Sequence, residues 1–300
     1  MKIKKLLIKK IDLRNSINDD IETPHIDDFE TNISEQYYDE NQNLLKEITF
    51  DSYGDKLDVY EYEYDDKNRL VNSKLYIEEQ LSEEKKYEYD ANNNRVKKIR
   101  IFESGISDYT IYNYNEKNLL IKKITYYDDG EIESTQDFVY DDNMNLINSF
   151  IYDEDNKVQY ELKNKYENNL LKEYLVNDFP NKDYKKTICS YYDNGLKQNE
   201  FVFNYKEKLI YKTTYQYDNN NNNTILIEET QDTYSKIVQE YDNKRLISKK
   251  EFDKDNICLN SQVRNYDNYG ILLFTIYENL VMPQNIISSY KVINIYEFYN

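Results

Sequence analysis

The chain of 300 residues carries 57 acidic against 39 basic side chains, a formal net charge of −18, and that balance excludes a nucleic-acid partner, which needs a basic stripe to displace counterions from phosphate. Two cysteines rule out a disulfide framework, and no stretch approaches the ~20 consecutive apolar residues of a helical membrane span. With 34 Tyr, no Trp, 5 Gly and 39% hydrophobic residues, the composition suits a thin, half-wet sheet better than a thick dry core, because tyrosine joins an apolar ring to a polar tip.

At the amino terminus Ile3, Leu7 and Ile11 fit one helical stripe with Leu6 or one strand face with Leu13, and the pattern leaves both open. The start is basic, but its apolar run is only Leu6 to Ile8, short of the roughly 7–15 apolar residues of a secretory signal. The expected location is therefore cytoplasmic, with secretion alongside a toxin as the alternative. Asn15 to Phe29, with Pro24 and clustered Asp, reads as a loop. Residues 1–35 are expected to form a non-repeat leader or cap over the first sheet edge.

A period begins at Tyr38. Tyr38, Tyr64, Tyr89, Tyr114, Tyr140, Tyr166, Tyr192, Tyr217, Tyr241 and Tyr266 are each followed by Asp, Asn or Glu and stand 24 to 26 residues apart. These ten tyrosines define the repeat and are assigned a structural role. A second marker, 11 to 13 residues later, reads Phe50, Tyr76, Phe102, Tyr127, Tyr152, Phe179, Tyr205, Thr230, Phe252 and Tyr277. Removing about four turn residues from each half-repeat leaves strands of about eight residues joined by short hairpins. Alternation agrees: Tyr60, Tyr62 and Tyr64 share one face while Glu61 and Glu63 share the other. Asn68, Asn93, Asn118 and the run Asn219 to Asn223 stand where other hairpins use Gly, since Asn tolerates the left-handed conformation.

The predicted fold is all-β: ten tandem hairpin repeats over 36–277 and closing strands over 278–300. About twenty antiparallel strands would form a meander, curled or coiled into an elongated or shell-like sheet, because twist accumulates and open sheets rarely exceed about ten strands flat. Its aromatic and aliphatic face is expected inward and its Lys/Glu face outward. Successive rings are expected to stack as cross-strand ladders.

The unit strand–Tyr–Asp–polar turn–strand resembles the YD repeat of the RHS family. YDDKNRL at 64–70 is the best match, with YDANNNRV at 89–96, YDDNMNLI at 140–147 and YDNKRLI at 241–247. The resemblance implies antiparallel strands coiled into a shell of the kind found in secreted polymorphic toxins. The chain has no Asp-Pro-x-Gly segment of the sort associated with self-cleavage in that family; Pro24, Pro180 and Pro283 are its prolines. YDDG at 127–130 and YDNG at 192–195 are similar, more loosely, to the hairpin repeats of YwqK-type antitoxins.

Chemistry is sparse. His25 is the single histidine, which removes histidine triads and most zinc sites from consideration. Acidic pairs such as Asp128-Asp129 and Asp141-Asp142 recur at turn after turn, as turn chemistry does and a unique catalytic constellation does not. Asp153-x-Asp155-Asn156 and Asp253-x-Asp255-Asn256 imitate the start of a calcium loop, but lack its sixth-position Gly and twelfth-position Glu. Cys189 and Cys258 could pair only if they meet in space and are expected to be two buried free thiols. The expected protein is non-enzymatic, needs no cofactor or metal, and binds another macromolecule. A protein partner fits best, in an immunity or antitoxin-like role against a basic toxin domain; a fragment of a toxin shell and a carbohydrate-binding module are the alternatives.

Overall fold

A computed structural model describes residues 1–14, 30–280 and 288–299. Two-residue alternation produces strands throughout: β1 Ile3–Arg14, β2 Glu30–Tyr38, β3 Leu44–Phe50, β4 Lys56–Tyr64, β5 Leu70–Ile77, β6 Gln80–Tyr89, β7 Arg95–Phe102 and β8 Ser107–Tyr114. The next are β9 Leu120–Tyr126, β10 Ile132–Tyr140, β11 Leu146–Tyr152, β12 Val158–Glu167, β13 Leu170–Asp178, β14 Asp183–Tyr191 and β15 Lys197–Phe203. The last are β16 Leu209–Tyr217, β17 Asn223–Glu229, β18 Tyr234–Asp242, β19 Arg245–Phe252, β20 Cys258–Tyr266, β21 Leu272–Asn279 and β22 Ser288–Phe298. His25, Pro24, Pro283 and the loop expected over Asn15 to Phe29 lie outside the described residues.

Each strand pairs antiparallel with the next, and β1 also pairs with β22, from Ile3↔Phe298 to Arg14↔Ser288. The expectation of a curled or coiled open sheet is thereby corrected to a closed 22-stranded barrel. The physical reason is the edge: a coil leaves two strands with unpaired N–H and C=O groups, and closure pairs both. The segment 1–35 supplies the closing strand β1. Residues 281–287, part of the closing strands expected over 278–300, lie outside the described residues; from Ser288 to Phe298 the chain is β22.

Followed through its pairings once round, the chain returns to β1 displaced by about 22 residues, which sets a strand tilt of roughly 37° and a diameter of roughly 40 Å. Strands of about eight residues at that tilt stand about 20 Å tall, so the molecule is a ring wider than it is high. Its accessible surface is 19786 Å², against roughly 13,500 Å² for a compact protein of this mass. Both faces of the wall are wet.

Crowding tells the faces apart. The pairings place Tyr60, Tyr62, Thr110, Tyr112, Thr187, Cys189 and Thr213 on one face, and the last five of these are buried. The other face holds Ile188 and Val263, both exposed in mid-strand. A concave wall converges its side chains and a convex wall splays them, so the first face is the lumen. Small hydroxyl residues hold its narrowest positions, and tyrosines and charges share the rest. The outer face carries cross-strand ion pairs such as Lys46–Glu61 at 2.9 Å and Lys212–Glu229 at 2.8 Å, each worth at most about 1 kcal/mol.

Hairpins after even-numbered strands fall at one end, here the tyrosine rim, and the described hairpins after odd-numbered strands, from β3 to β19, at the other, the far rim. Most tyrosine-rim loops are three residues long with the third left-handed: Asn68 at φ 60°, Asn93 at 69°, Asn118 at 59° and Asn221 at 63°. Asn168-Asn169 forms a two-residue turn with both φ positive. Met144 occupies the same left-handed position at φ 65°, which costs an ordinary L-residue about 1–2 kcal/mol. Replacing Met144 with Asn, which suits the conformation and is what the sister turns use, is expected to raise stability by about 1 kcal/mol; an unchanged urea midpoint would contradict the strain.

Candidate functional site

The rims carry what is chemically distinctive. Seven of the ten tyrosine-rim turns are built by a leading Asp or Asn. In the turn 65–69, Asp65 Oδ1 accepts the Lys67 and Arg69 N–H groups at 2.9 Å each, and Asp65 Oδ2 accepts Arg69 Nε at 2.7 Å. Asp90, Asp141 and Asp218 repeat this with Asn94, Asn145 and Asn222. Neighbouring turns are tied in series: Asn43 Nδ2 donates to Asn68 Oδ1, Asn94 Nδ2 to Asn118 Oδ1 and Asn145 Nδ2 to Asn169 Oδ1.

The ten marker tyrosines take several roles. A bulge beside each tyrosine-rim turn shifts the register, and the tyrosine of the following repeat reaches a carbonyl next to that bulge. Tyr64 Oη donates to the Leu44 carbonyl at 3.0 Å, and Tyr89 to Leu70, Tyr114 to Arg95, Tyr140 to Leu120 and Tyr266 to Leu246 at 2.9 Å. In the seventh copy Tyr191 makes this bond, to Leu171 at 2.7 Å. Tyr192 sits where sister turns place Asp, and donates to the Tyr215 carbonyl at 3.0 Å. Beside Tyr166, Asn164 Nδ2 serves the Leu146 carbonyl instead. Tyr38 Oη donates to Gln36, and its carbonyl accepts Tyr299 Oη at the seam. Tyr217 meets Tyr192 edge to face at 6.2 Å, and Tyr241 is half-buried, one residue before the end of β18. Among the described residues the ten marker tyrosines do not stack on one another; the stacked pairs are Tyr109–Tyr126 outside, Tyr277–Tyr290 inside and Tyr296–Phe298 within β22.

At the far rim the second markers divide similarly. Tyr152 and Phe252 end their strands before turns led by Asp153 and Asp253. Tyr127 lies in its turn with Tyr126 as the last strand residue, and Tyr205 lies in its turn behind Phe203. The sequence reading missed Tyr191, Tyr126 and Phe203 because two aromatics stand close together there and only pairing decides which ends the strand. The calcium-like segments serve as turns: Asp153 Oδ1 accepts the Lys157 N–H and Asp253 Oδ1 those of Asp255 and Ile257. Among the described residues no His/Cys/Asp/Glu group of three or more could hold a metal.

Charge is unevenly placed. The tyrosine-rim turns hold eleven acidic and four basic side chains, and the far-rim turns between β3 and β20 hold fifteen acidic and five basic; the strands carry slightly more basic than acidic groups. Nearly neutral walls thus join two acidic mouths. On the inner wall Glu200 accepts Lys197 Nζ at 2.5 Å and Tyr215 Oη at 2.8 Å, with Cys189 Sγ 3.8 Å away. Burial, then Glu200, pushes the Tyr215 phenol up, and burial pushes the Cys189 thiol up, away from the thiolate that a nucleophile needs. Both cysteines are free; Cys189 is buried as expected, whereas Cys258, at the start of β20, is only half-buried. A cleft of about 540 Å³ at the tyrosine rim is lined by Tyr192, Asp193, Leu196, Gln216, Tyr217 and Asp218; it opens where Tyr192 replaces the usual Asp.

No protein-family model matches the chain, and no curated protein matches it. Solved structures similar to it include the Photorhabdus luminescens Tc holotoxin pore, at 12% identity and TM-score 0.36 over 93% of this chain and 17% of that chain. A TcdB2-TccC3 structure is similar at 12% identity and TM-score 0.30, over 84% of this chain and 18% of that one. A porin-like protein from Bacteroides uniformis is similar at 10% identity and TM-score 0.33, over 98% of both chains. The chain spans less than a fifth of the length of the two toxin chains. At these scores the likeness does not extend to a shared activity.

Two measurements check the rim chemistry. Tyr89 packs under Arg69, 4.7 Å from the ring centroid, and donates to Leu70. Tyr89→Phe should therefore cost about 1–2 kcal/mol for the orphaned carbonyl, Tyr89→Ala about 3 kcal/mol, and Lys97→Ala on the outer face under about 0.5 kcal/mol. Equal melting shifts for the three would sink the assignment. Bonds from Arg69 hold the Asp65 carboxyl below its ordinary value, and those from Asn94, Asn145 and Asn222 do so for Asp90, Asp141 and Asp218. Depressed native values give stability that is full above the unfolded Asp value near 3.9 and is lost as pH falls through the native ones. Replacing all four Asp with Asn should flatten the stability curve below about pH 4 while leaving its neutral limb parallel to wild type; an unchanged acid limb would refute the link.

Proposed function

We propose that this chain is a non-catalytic repeat scaffold that binds another protein, and that the partner is basic. The observation that carries the reading is the segregation of charge: net acidity lies on the two mouths of a wide ring whose walls are nearly neutral. Such mouths raise the local concentration of a cationic partner and speed its capture. The Asp residues that lead the turns bond within their own turns in copy after copy, so they supply no unique acid–base pair. Lipid is a poor partner for the barrel wall, because both faces carry Lys and Glu in mid-strand and each charge facing a bilayer midplane costs up to about 2–4 kcal/mol. An immunity or antitoxin-like role against a basic toxin domain is the specific form of this reading that the acidic mouths favour, with cytoplasmic location. A ring with a wetted lumen also suits a shell segment that encloses a polypeptide.

Binding to surface-coupled poly-L-lysine and to a panel of immobilised oligosaccharides, each across a salt series, tests the proposal. Capture of poly-L-lysine that weakens at least about tenfold between 0.05 and 0.5 M salt is expected, as for charge-led association. Salt-insensitive capture of an oligosaccharide, with none of poly-L-lysine, would replace the reading with carbohydrate recognition at the tyrosines.

A further inference from the structure

The far rim is not uniform around the ring. Four consecutive turns, 51–55, 78–79, 103–106 and 127–131, hold eight acidic side chains and no basic one; the five that follow, between β11 and β20, hold seven acidic and five basic. In the same four hairpins large apolar side chains stand in solvent. Tyr53 is 85% exposed, Leu57 and Ile106 are each 52% exposed, and Ile77, Leu81 and Tyr127 are also exposed. Exposed apolar side chains also stand in the far-rim hairpins of the opposite sector, Phe179 at 49%, Tyr205 at 64% and Ile257 at 57%; what sets the first sector apart is that its exposed apolar groups lie among carboxylates with no basic side chain in the same turns.

We infer that this sector, from β3 to β10, is the docking surface of the ring, and that it takes a cationic polypeptide with apolar anchors. The inference rests on the protein-binding reading above and deepens it by naming the surface and the partner's chemistry. The occupant follows from complementarity. Tyrosine and isoleucine supply contact area that an apolar side chain can fill, while the intervening carboxylates demand lysine or arginine between such anchors. A second copy of this chain is disfavoured, since a two-fold contact through this sector would set its unrelieved carboxylates against their own kind. Eight strands cover an arc of about 45 Å, long enough for a standard interface of about 800 Å² a side. The acidic groups not engaged with cations in these turns remain available, whereas Lys157 at the next turn is already paired with Asp155 at 2.8 Å.

The test uses two synthetic amphipathic peptides of about 20 residues, one alternating Leu with Lys at helical spacing and its twin with Glu for Lys, read by fluorescence anisotropy on the full chain. The Lys peptide should bind at least about tenfold more tightly than the Glu peptide. Tyr53→Ser/Leu57→Ser/Ile106→Ser and, separately, Asp128→Asn/Asp129→Asn/Glu131→Gln should each weaken it about tenfold, and the control Tyr205→Ser/Ile257→Ser on the opposite sector by less than about twofold. Circular dichroism confirms that these exposed substitutions leave the strands intact. Wild-type affinity in both sector variants would overturn the surface and leave protein binding standing. Equal binding of the two peptides would overturn the cationic partner. Failure of the Lys peptide and of poly-L-lysine alike would overturn both readings. A self-association abolished by the Tyr53 variant would make a second copy the occupant and overturn the inference.

Discussion

The ring depends on one recurring bond, from a tyrosine hydroxyl to a backbone carbonyl of the preceding repeat. A bulge at each tyrosine-rim hairpin is what lets an odd loop join two twisted strands in register, and it disturbs the ladder on which neighbouring carbonyls rely. Leaving such a group unpaired costs about 1–3 kcal/mol. The hydroxyls of Tyr64, Tyr89, Tyr114, Tyr140, Tyr191 and Tyr266 answer it copy by copy, and the ring of each covers the strand it crosses. Phenylalanine would fill the space and leave the carbonyl bare.

The seam extends the same chemistry to closure. Tyr296 donates to the Leu272 carbonyl at 3.0 Å, as the internal repeats do, and Tyr299 bridges back to Tyr38 in the first repeat. Stability here is spread along ladders and rims, with little central core: Ile48, Tyr112 and Cys189 are the buried apolar side chains among the described residues. A wall one sheet thick cannot exclude water from either side, so it leans on backbone pairing, cross-strand contacts and capped turns. The acidic mouths are a by-product of that solution, because Asp is the residue that caps these turns, and they are at the same time the feature from which a basic partner is inferred.

Much of the fold was legible because period and alternation report local geometry. The strands and the Asn-filled left-handed turns follow from two-residue alternation and turn chemistry. The expected sorting of aromatic and aliphatic groups inward and Lys/Glu outward does not hold, since Tyr109, Tyr126, Ile188 and Val263 face out and Glu200 faces in, because a wall wetted on both sides rewards neither arrangement. Closure was not legible: the pairing of Ile3 with Phe298 joins the two ends of the chain, and no local pattern carries it. In β1 the apolar spacing fitted a helix and a strand equally well, and only its two neighbours decided between them. Tyr191 against Tyr192 was ambiguous for a similar reason, since a shift of one residue exchanges faces. The docking sector depends on topology as well. Tyr53 and Ile106 are four turns apart along the chain, and it takes the meander to set alternate hairpins on one rim.

A closed ring made of tandem copies also has a size that changes only in whole steps. Deleting or duplicating one repeat removes or adds two strands, and the register still meets at β1 and β22 because each copy contributes a similar stagger. At this tilt one repeat alters the diameter by roughly 3.5 Å. Unequal recombination between the near-identical Tyr-Asp segments would therefore yield a graded series of apertures from a single gene, each closed by the same seam. Bore would be inherited as a copy number.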